Sequence, residues 1–180
     1  FNSFDKINPN VISVWSNILK KINGSKLILK SSKIKHGVER LKALFKENDV
    51  LDSITFIGRE KEFKDHLNAY NEIDIALDTF PYNGVTTSFE AIWMGVPVLA
   101  MAGYNFNSRC GESINKNLGI DQMIARDEND YVQKIVNLSN NDDDYIKLRK
   151  FVYENALKSP LFDKHDYSKS FFEAIDQIVK

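Results

Sequence analysis

The sequence predicts an α/β fold: a parallel β-sheet with helices on both faces. Short apolar runs such as Leu27-Ile28-Leu29 and Pro97–Met101 alternate along the chain with longer segments of helical period. The runs lack polar alternation, as strands buried on both faces do. Strands separated by helix-length segments pair in parallel through right-handed crossovers. At 180 residues, 43% hydrophobic and 27% charged, the chain suits one folded domain and not a disordered one.

The elements follow in order. Asn8 can cap a helix and Pro9 fits its first turn. Val11, Ile12, Trp15, Ile18, Leu19 and Ile22 continue it at helical spacing until Asn23-Gly24. Lys26–Lys30 reads as a strand, then a helix spans Val38–Asn48 with Leu41, Leu44 and Phe45 on one face. Ile54–Ile57 is strand-like and ends at Gly58, Glu62–Asn71 is a short helix, and Asp74–Leu77 is a further strand. Ser88–Met94 is helical up to Gly95, and Pro97–Met101 is a strand. A helix begins near Ser108, another spans Asp130–Asn140, and the polar start Asn141–Asp144 opens one reaching about Lys158. The last helix runs from about Tyr167 to Val179. The expected organisation is a single domain over 1–180, with C-terminal helices from about 142–180 packing on it.

Composition excludes several classes. Ten basic and four acidic residues in 1–50 oppose fourteen basic and twenty-one acidic in 51–180, so the net charge is −1 and no global nucleic-acid footprint exists. No apolar run approaches a membrane span. Cys110 stands alone, which rules out an internal disulfide, and it reads as a buried small residue. His36, His66 and His165 have no metal-ligand spacing, and Asp142–Asp144 reads as a helix start and not a hard-cation site. The chain opens on Phe1, read as the end of a missing strand in a longer protein.

In a parallel sheet, ligands bind beyond the carboxyl ends of the strands. Four segments qualify: 30–36, 58–63, 78–87 and 101–109. The richest is Asp78-Thr-Phe-Pro-Tyr-Asn-Gly-Val-Thr-Thr-Ser-Phe-Glu90. There a strand ends, a loop follows, and a helix starts at Thr86 to Ser88. Free amides at a helix start favour an anion. Gly84 allows close backbone approach, and Thr86 and Thr87 add hydroxyls, so the stretch can cradle a diphosphate. The competing reading is that one threonine merely caps the helix. Glu90, a turn further on, can accept from ribose hydroxyls or simply complement the dipole. His66 can stack on a nucleobase or be an ordinary surface histidine. Lys6 can reach the cleft and neutralise a leaving diphosphate, or be solvated. Lys30, Lys33 and Lys35 can add positive field at the same rim. No Walker loop or GxGxxG is present.

These segments together resemble the C-terminal half of the O-linked N-acetylglucosamine transferases and the related Spindly-type fucosyltransferases. The strongest stretch runs from Asp74 through Thr86-Thr87-Ser-Phe-Glu90 to Val98. Phe1-Asn2 to Lys6-Ile7, Trp15–Leu19, Ser108-Arg109, Leu118-Gly119 to Ile124-Ala125, Tyr131-Val132 and Ser159–Phe162 follow the same order. The resemblance implies the donor-binding, Rossmann-like half of a GT-B glycosyltransferase. It implies that His66 stacks on the base, Thr86 and Thr87 hold the diphosphate, Glu90 meets the ribose and Lys6 stabilises the departing nucleoside diphosphate. Ser3 and Val85 stand where the N-acetylglucosamine transferases carry glutamine and histidine, which leaves the donor open among UDP-N-acetylglucosamine, GDP-fucose and UDP-glucose. The implied reaction moves a sugar, N-acetylglucosamine favoured, from a nucleotide donor to protein Ser/Thr hydroxyls in the cytoplasm, without metal or cofactor. Nucleotide sugar and acceptor protein are the implied partners, with no nucleic acid and no membrane. Tetratricopeptide repeats and the acceptor half lie upstream in such a parent, and the fragment alone turns over little. A non-catalytic nucleotide-sugar module is the alternative.

Overall fold

The computed structural model describes residues 1–30, 35–58 and 60–179, with Lys35 described in its backbone only. Lys33 and the side chain of Lys35, named above as rim cations, lie outside the described residues.

The strands are β1 (Leu27–Lys30), β2 (Ile54–Ile57), β3 (Ala76–Leu77), β4 (Val98–Met101) and β5 (Ile124–Ala125). The helices are α1 (Pro9–Lys21), α2 (Lys35–Glu47), α3 (Phe63–Asn68), α4 (Thr86–Trp93), α5 (Cys110–Leu118), α6 (Glu128–Ser139), α7 (Asp142–Asn155) and α8 (Lys164–Val179). All observed strand pairs are parallel, as expected from the apolar runs. The single expected sheet is instead two groups: β1 pairs with β2, and β3, β4 and β5 form a triple. Strand β5 has only two residues, too short to show a period, and the sequence reading passed over it.

Local chemistry sets the helix ends. Asn8 accepts from the Val11 amide at 3.0 Å, Pro9 occupies the first turn of α1, and Lys20 and Lys21 close it against the dipole. Asp127 caps α6 and Asn141 caps α7, so Asp142–Asp144 form an acidic first turn. Helix α5 ends on Gly119, whose φ of 83° is the left-handed conformation that suits glycine. The helix expected over Glu62–Asn71 divides into α3 and a 3-10 turn over Ala69–Glu72.

The core is densest around the triple. Val98, Leu99 and Ala100 of β4 are fully buried, as are Ile92 of α4, Ile120 and Tyr131 of α6. Helix α1 packs on α6 and α2, while α4 packs on α5 and α7. Helix α7 buries Leu148 and Val152. Helix α8 buries nothing among the described residues and leaves Tyr167, Phe171, Phe172 and Ile178 exposed. Among the described residues no helix is long and apolar enough to cross a membrane.

Candidate functional site

The loop between β3 and α4 is built around one buried carboxylate. Asp78 Oδ1 accepts from the amides of Thr79 at 2.8 Å and Gly84 at 2.6 Å, and from Asn2 Nδ2 at 3.1 Å. Its Oδ2 is buried with no hydrogen-bond partner. Burial pushes the Asp78 carboxyl up to about 6, against the lowering pull of those three donors and of Lys6. Asn83 is buried too: its Nδ2 donates to the Thr79 carbonyl and its Oδ1 accepts from the Gly111 amide. Tyr131 donates to the Asp78 carbonyl at 2.9 Å. The loop is therefore clamped from inside, with most of its buried polar groups satisfied.

Gly84 is required here for a close approach. A Cβ at this position would stand 2.6 Å from Thr87 Oγ1, 2.8 Å from Asn2 Oδ1 and 3.0 Å from Asp78 Oδ1. The approach seen is to the protein's own polar groups, which fix the start of α4. That start has no side-chain cap: Val85 occupies the capping position, 44% exposed. Neither threonine caps the helix, so the capping reading fails. Thr87 Oγ1 donates to Asn2 Oδ1 at 3.0 Å, and Thr86 is exposed. The first-turn amides of α4 are left to whatever faces them.

The N-terminal segment is clasped onto this loop by three side chains. Asn2 reaches Asp78, Lys6 Nζ donates to the Asn83 carbonyl at 2.8 Å, and Asn8 Nδ2 donates to the Phe80 carbonyl at 2.8 Å. Arg40 of α2 holds the turn that carries Lys6 by donating to the carbonyls of Phe4 and Ile7. Lys6 Nζ also lies 4.2 Å from the centroid of the Tyr82 ring. Burial lowers the Lys6 pKa, and the Asp78 charge partly offsets that. Ser3 is exposed and donates to Asp5.

A second cluster lies where α3 meets α4. His66 Nε2 is 2.9 Å from Glu90 Oε2, and His66 Nδ1 is 2.5 Å from Lys30 Nζ. Lys30 can only donate, so Nδ1 accepts and the ring proton sits on Nε2, donated to Glu90. Tyr70 donates to the same Glu90 oxygen at 3.1 Å and to the Thr87 carbonyl at 3.2 Å. Burial and the Glu90 charge raise the phenol of Tyr70 well above the ordinary tyrosine range. The rings of Phe1, Phe63 and Tyr70 surround His66 at centroid distances of 6.1, 6.0 and 5.9 Å.

The structure thus brings Lys6, Gly84 and Thr87 together at one end, and His66 and Glu90 at the other, joined through Tyr70 and Thr87. Lys30 belongs to the second cluster, buried rather than at an open rim. Asn2, Tyr70 and Asp78 had no assigned role from sequence alone. The one signal for Asp78 was its place at the end of an apolar strand. Cys110, expected to be buried, is half-buried at the start of α5 and donates to the Phe106 carbonyl. Among the described residues no three His, Cys, Asp or Glu side chains gather as they would around a metal ion.

Parallel strands flanked by helices, with an uncapped helix start and a clasped lysine beyond their carboxyl ends, define an α/β domain of the kind that binds its ligands at that edge of the sheet. A solved mutant O-GlcNAc transferase of Thermobaculum terrenum matches it with a TM-score of 0.91 at 27% identity, over 98% of this chain and 34% of that one. The fold is that of a GT-B glycosyltransferase catalytic domain. Residues 1–171 match glycosyl transferase family 41, and the chain belongs to that family. A probable UDP-N-acetylglucosamine–peptide N-acetylglucosaminyltransferase SPINDLY of Solanum lycopersicum is 34% identical over 94% of this chain. A UDP-N-acetylglucosamine–peptide N-acetylglucosaminyltransferase of Caenorhabditis elegans is 27% identical over all of it. The chain spans 19% and 16% of those two relatives.

Proposed function

We propose that this chain is the donor-binding part of a glycosyltransferase that moves a sugar from a nucleoside diphosphate to Ser/Thr hydroxyls of proteins. The observation that carries the reading is the meeting of Lys6 with the uncapped start of α4 on one rigid loop. As the acceptor hydroxyl attacks the sugar, the bond to the diphosphate breaks and negative charge grows on the departing phosphate. Positive charge held where that charge grows stabilises the transition state more than the ground state. Lys6 supplies a full charge, and the α4 amides with Thr86 and Thr87 supply donors. Gly84 and Val85 shape the approach, and the exposed Ser3 is assigned a further donor contact.

The base and ribose fall to the second cluster. Lys30 and Glu90 occupy both ring nitrogens of His66, so the imidazole offers its face to a nucleobase and not an edge. Stacking of that kind tolerates uracil and guanine alike. Glu90 Oε2 is taken by His66 and Tyr70, which leaves Oε1 for a ribose hydroxyl. N-acetylglucosamine is the favoured sugar because both curated relatives are named for its transfer. Fucose and glucose are the alternatives that Ser3 and Val85 leave open.

The same proposal has no metal in the transfer step, places the enzyme in the cytoplasm and assigns the acceptor site to other parts of the protein. A donor screen of the full-length protein by mass spectrometry tests it: peptide gaining the mass of N-acetylhexosamine from UDP-N-acetylglucosamine, undiminished by EDTA, is the expected result. Transfer of deoxyhexose from GDP-fucose reassigns the sugar. Loss of turnover on chelation overturns the metal-free step. Nucleotide binding with no transfer from any donor would leave a sensor module.

A further inference from the structure

One peptide unit of the loop between β3 and α4 is held between two opposite charges. The Gly84 amide donates to Asp78 Oδ1 at 2.6 Å, and the carbonyl of the same peptide, that of Asn83, accepts from Lys6 Nζ at 2.8 Å. A planar trans peptide points its N–H and its C=O in opposite directions. The carboxylate at one end and the ammonium at the other therefore align the same dipole, through two short, charge-assisted bonds. Next to glycine, a peptide plane turns with little steric resistance. The neighbouring anchors act elsewhere: the Asn83 amide donates to the Asn107 carbonyl, and the Asn83 side chain joins Thr79 to Gly111. The bond to Asp78 thus sets the direction of the carbonyl that receives Lys6.

Asp78 also holds the segment from which Lys6 extends. Its Oδ1 accepts from Asn2 Nδ2 at 3.1 Å, and the turn that follows brings the Lys6 amide onto the Ser3 carbonyl. Lys6 is fixed at its backbone through Asn2 and at its ammonium through the Asn83–Gly84 peptide. The carboxylate itself is 2% exposed, and its Oδ2 has no hydrogen-bond partner. Burial of that kind is costly. A neutral side chain of similar shape avoids the cost, which points to a role for Asp78 beyond packing.

We propose that Asp78 is a positioning residue: through Asn2 and the Asn83–Gly84 peptide, it holds the ammonium of Lys6 where the departing phosphate develops its charge. That the ammonium meets a phosphate rests on the sugar-transfer reading; that Asp78 fixes it does not. Placement matters at such a group, because a shift of about 1 Å costs on the order of 10²-fold in rate.

Lysine labelling of the full-length protein, with trace acetic anhydride and mass spectrometry, tests the fixing without any sugar. Asp78→Ala should raise the reactivity of Lys6 roughly tenfold, and Asn2→Ala, which cuts one of the two paths, by less. Lys134, bonded to the Gln122 carbonyl, is the internal reference and should not change. Unchanged labelling of Lys6 overturns the proposal. So does an equal rise at Lys134, which marks general loosening. Single-turnover transfer then tests the consequence. Asp78→Ala should lower the rate constant by roughly 10²-fold, with donor affinity affected much less, and should lower it little further in a Lys6→Ala background. Losses that multiply overturn positioning through Lys6. Transfer from no donor by the unaltered protein, with the labelling result intact, sinks the sugar reading alone.

Discussion

The two strand groups differ in how they hold their share of the site. The triple is buried at its centre, with Leu99 at 0% exposure, and presents the Asp78–Thr87 loop as a clamped unit. The pair is less buried: β1 buries Leu29 and Lys30 but not Leu27 or Ile28, and no residue of β2 is fully buried. It presents single reaching groups: Lys30 from the end of β1, and His66 from the helix after β2. The diphosphate end of the proposed donor site therefore rests on a stiff frame, and the base end on a softer one. A frame of that kind suits the place where charge develops, because preorganised donors need not reorganise during reaction.

The largest expected effects test the frame. Leu99→Ala should destabilise by about 4 kcal/mol and Leu29→Ala by about 2 kcal/mol in chemical denaturation, the spread expected for deep and shallow sites. Equal costs would break the contrast.

Next comes the buried carboxylate. The folded-state pKa of Asp78 is raised from 3.8 to about 6, so the folded protein holds this proton more tightly than the unfolded chain. Its contribution to stability is fully present below pH ~4 and is lost as pH rises through ~6, a change of roughly 3 kcal/mol. Asp78→Asn should flatten that slope in denaturation curves taken across pH 4–7. An unchanged slope would mean that the loop does not depend on this group.

The smallest effect lies at the seam between the two ends. Tyr70→Phe removes the hydroxyl bonded to Glu90 and to the Thr87 carbonyl, and should cost about 1 kcal/mol of stability. Calorimetry with UDP should show weaker binding in the same variant, because Glu90 loses a positioning contact.

Much of the frame was legible in the sequence. The boundaries of Ile54–Ile57 and the cap and proline of α1 follow from local chemistry, and local chemistry is what a sequence displays. Lys6, His66, Thr87 and Glu90 were picked out individually, and the structure brings them into two adjoining clusters. The split of the sheet was not legible, because strand pairing is a non-local choice. Nor were the bonds of Asn2, which spans 76 residues to Asp78 and 85 to Thr87. Asp78 reads as a strand end until three donors are seen to converge on one of its oxygens. Tyr70 reads as one aromatic among many until its hydroxyl is seen to join Glu90 to the loop.

In the proposed reaction the stiff end carries the chemistry, and the ammonium of Lys6 is its one full positive charge among the described residues bonded to the loop. Single-turnover transfer by full-length Lys6→Ala, with donor affinity measured alongside, tests that role most directly. The expected rate constant is lower by roughly 10²–10³-fold, with donor binding weakened by much less, as for loss of a group that acts on charge formed in the transition state. Turnover at the unaltered rate, with donor bound, would contradict it.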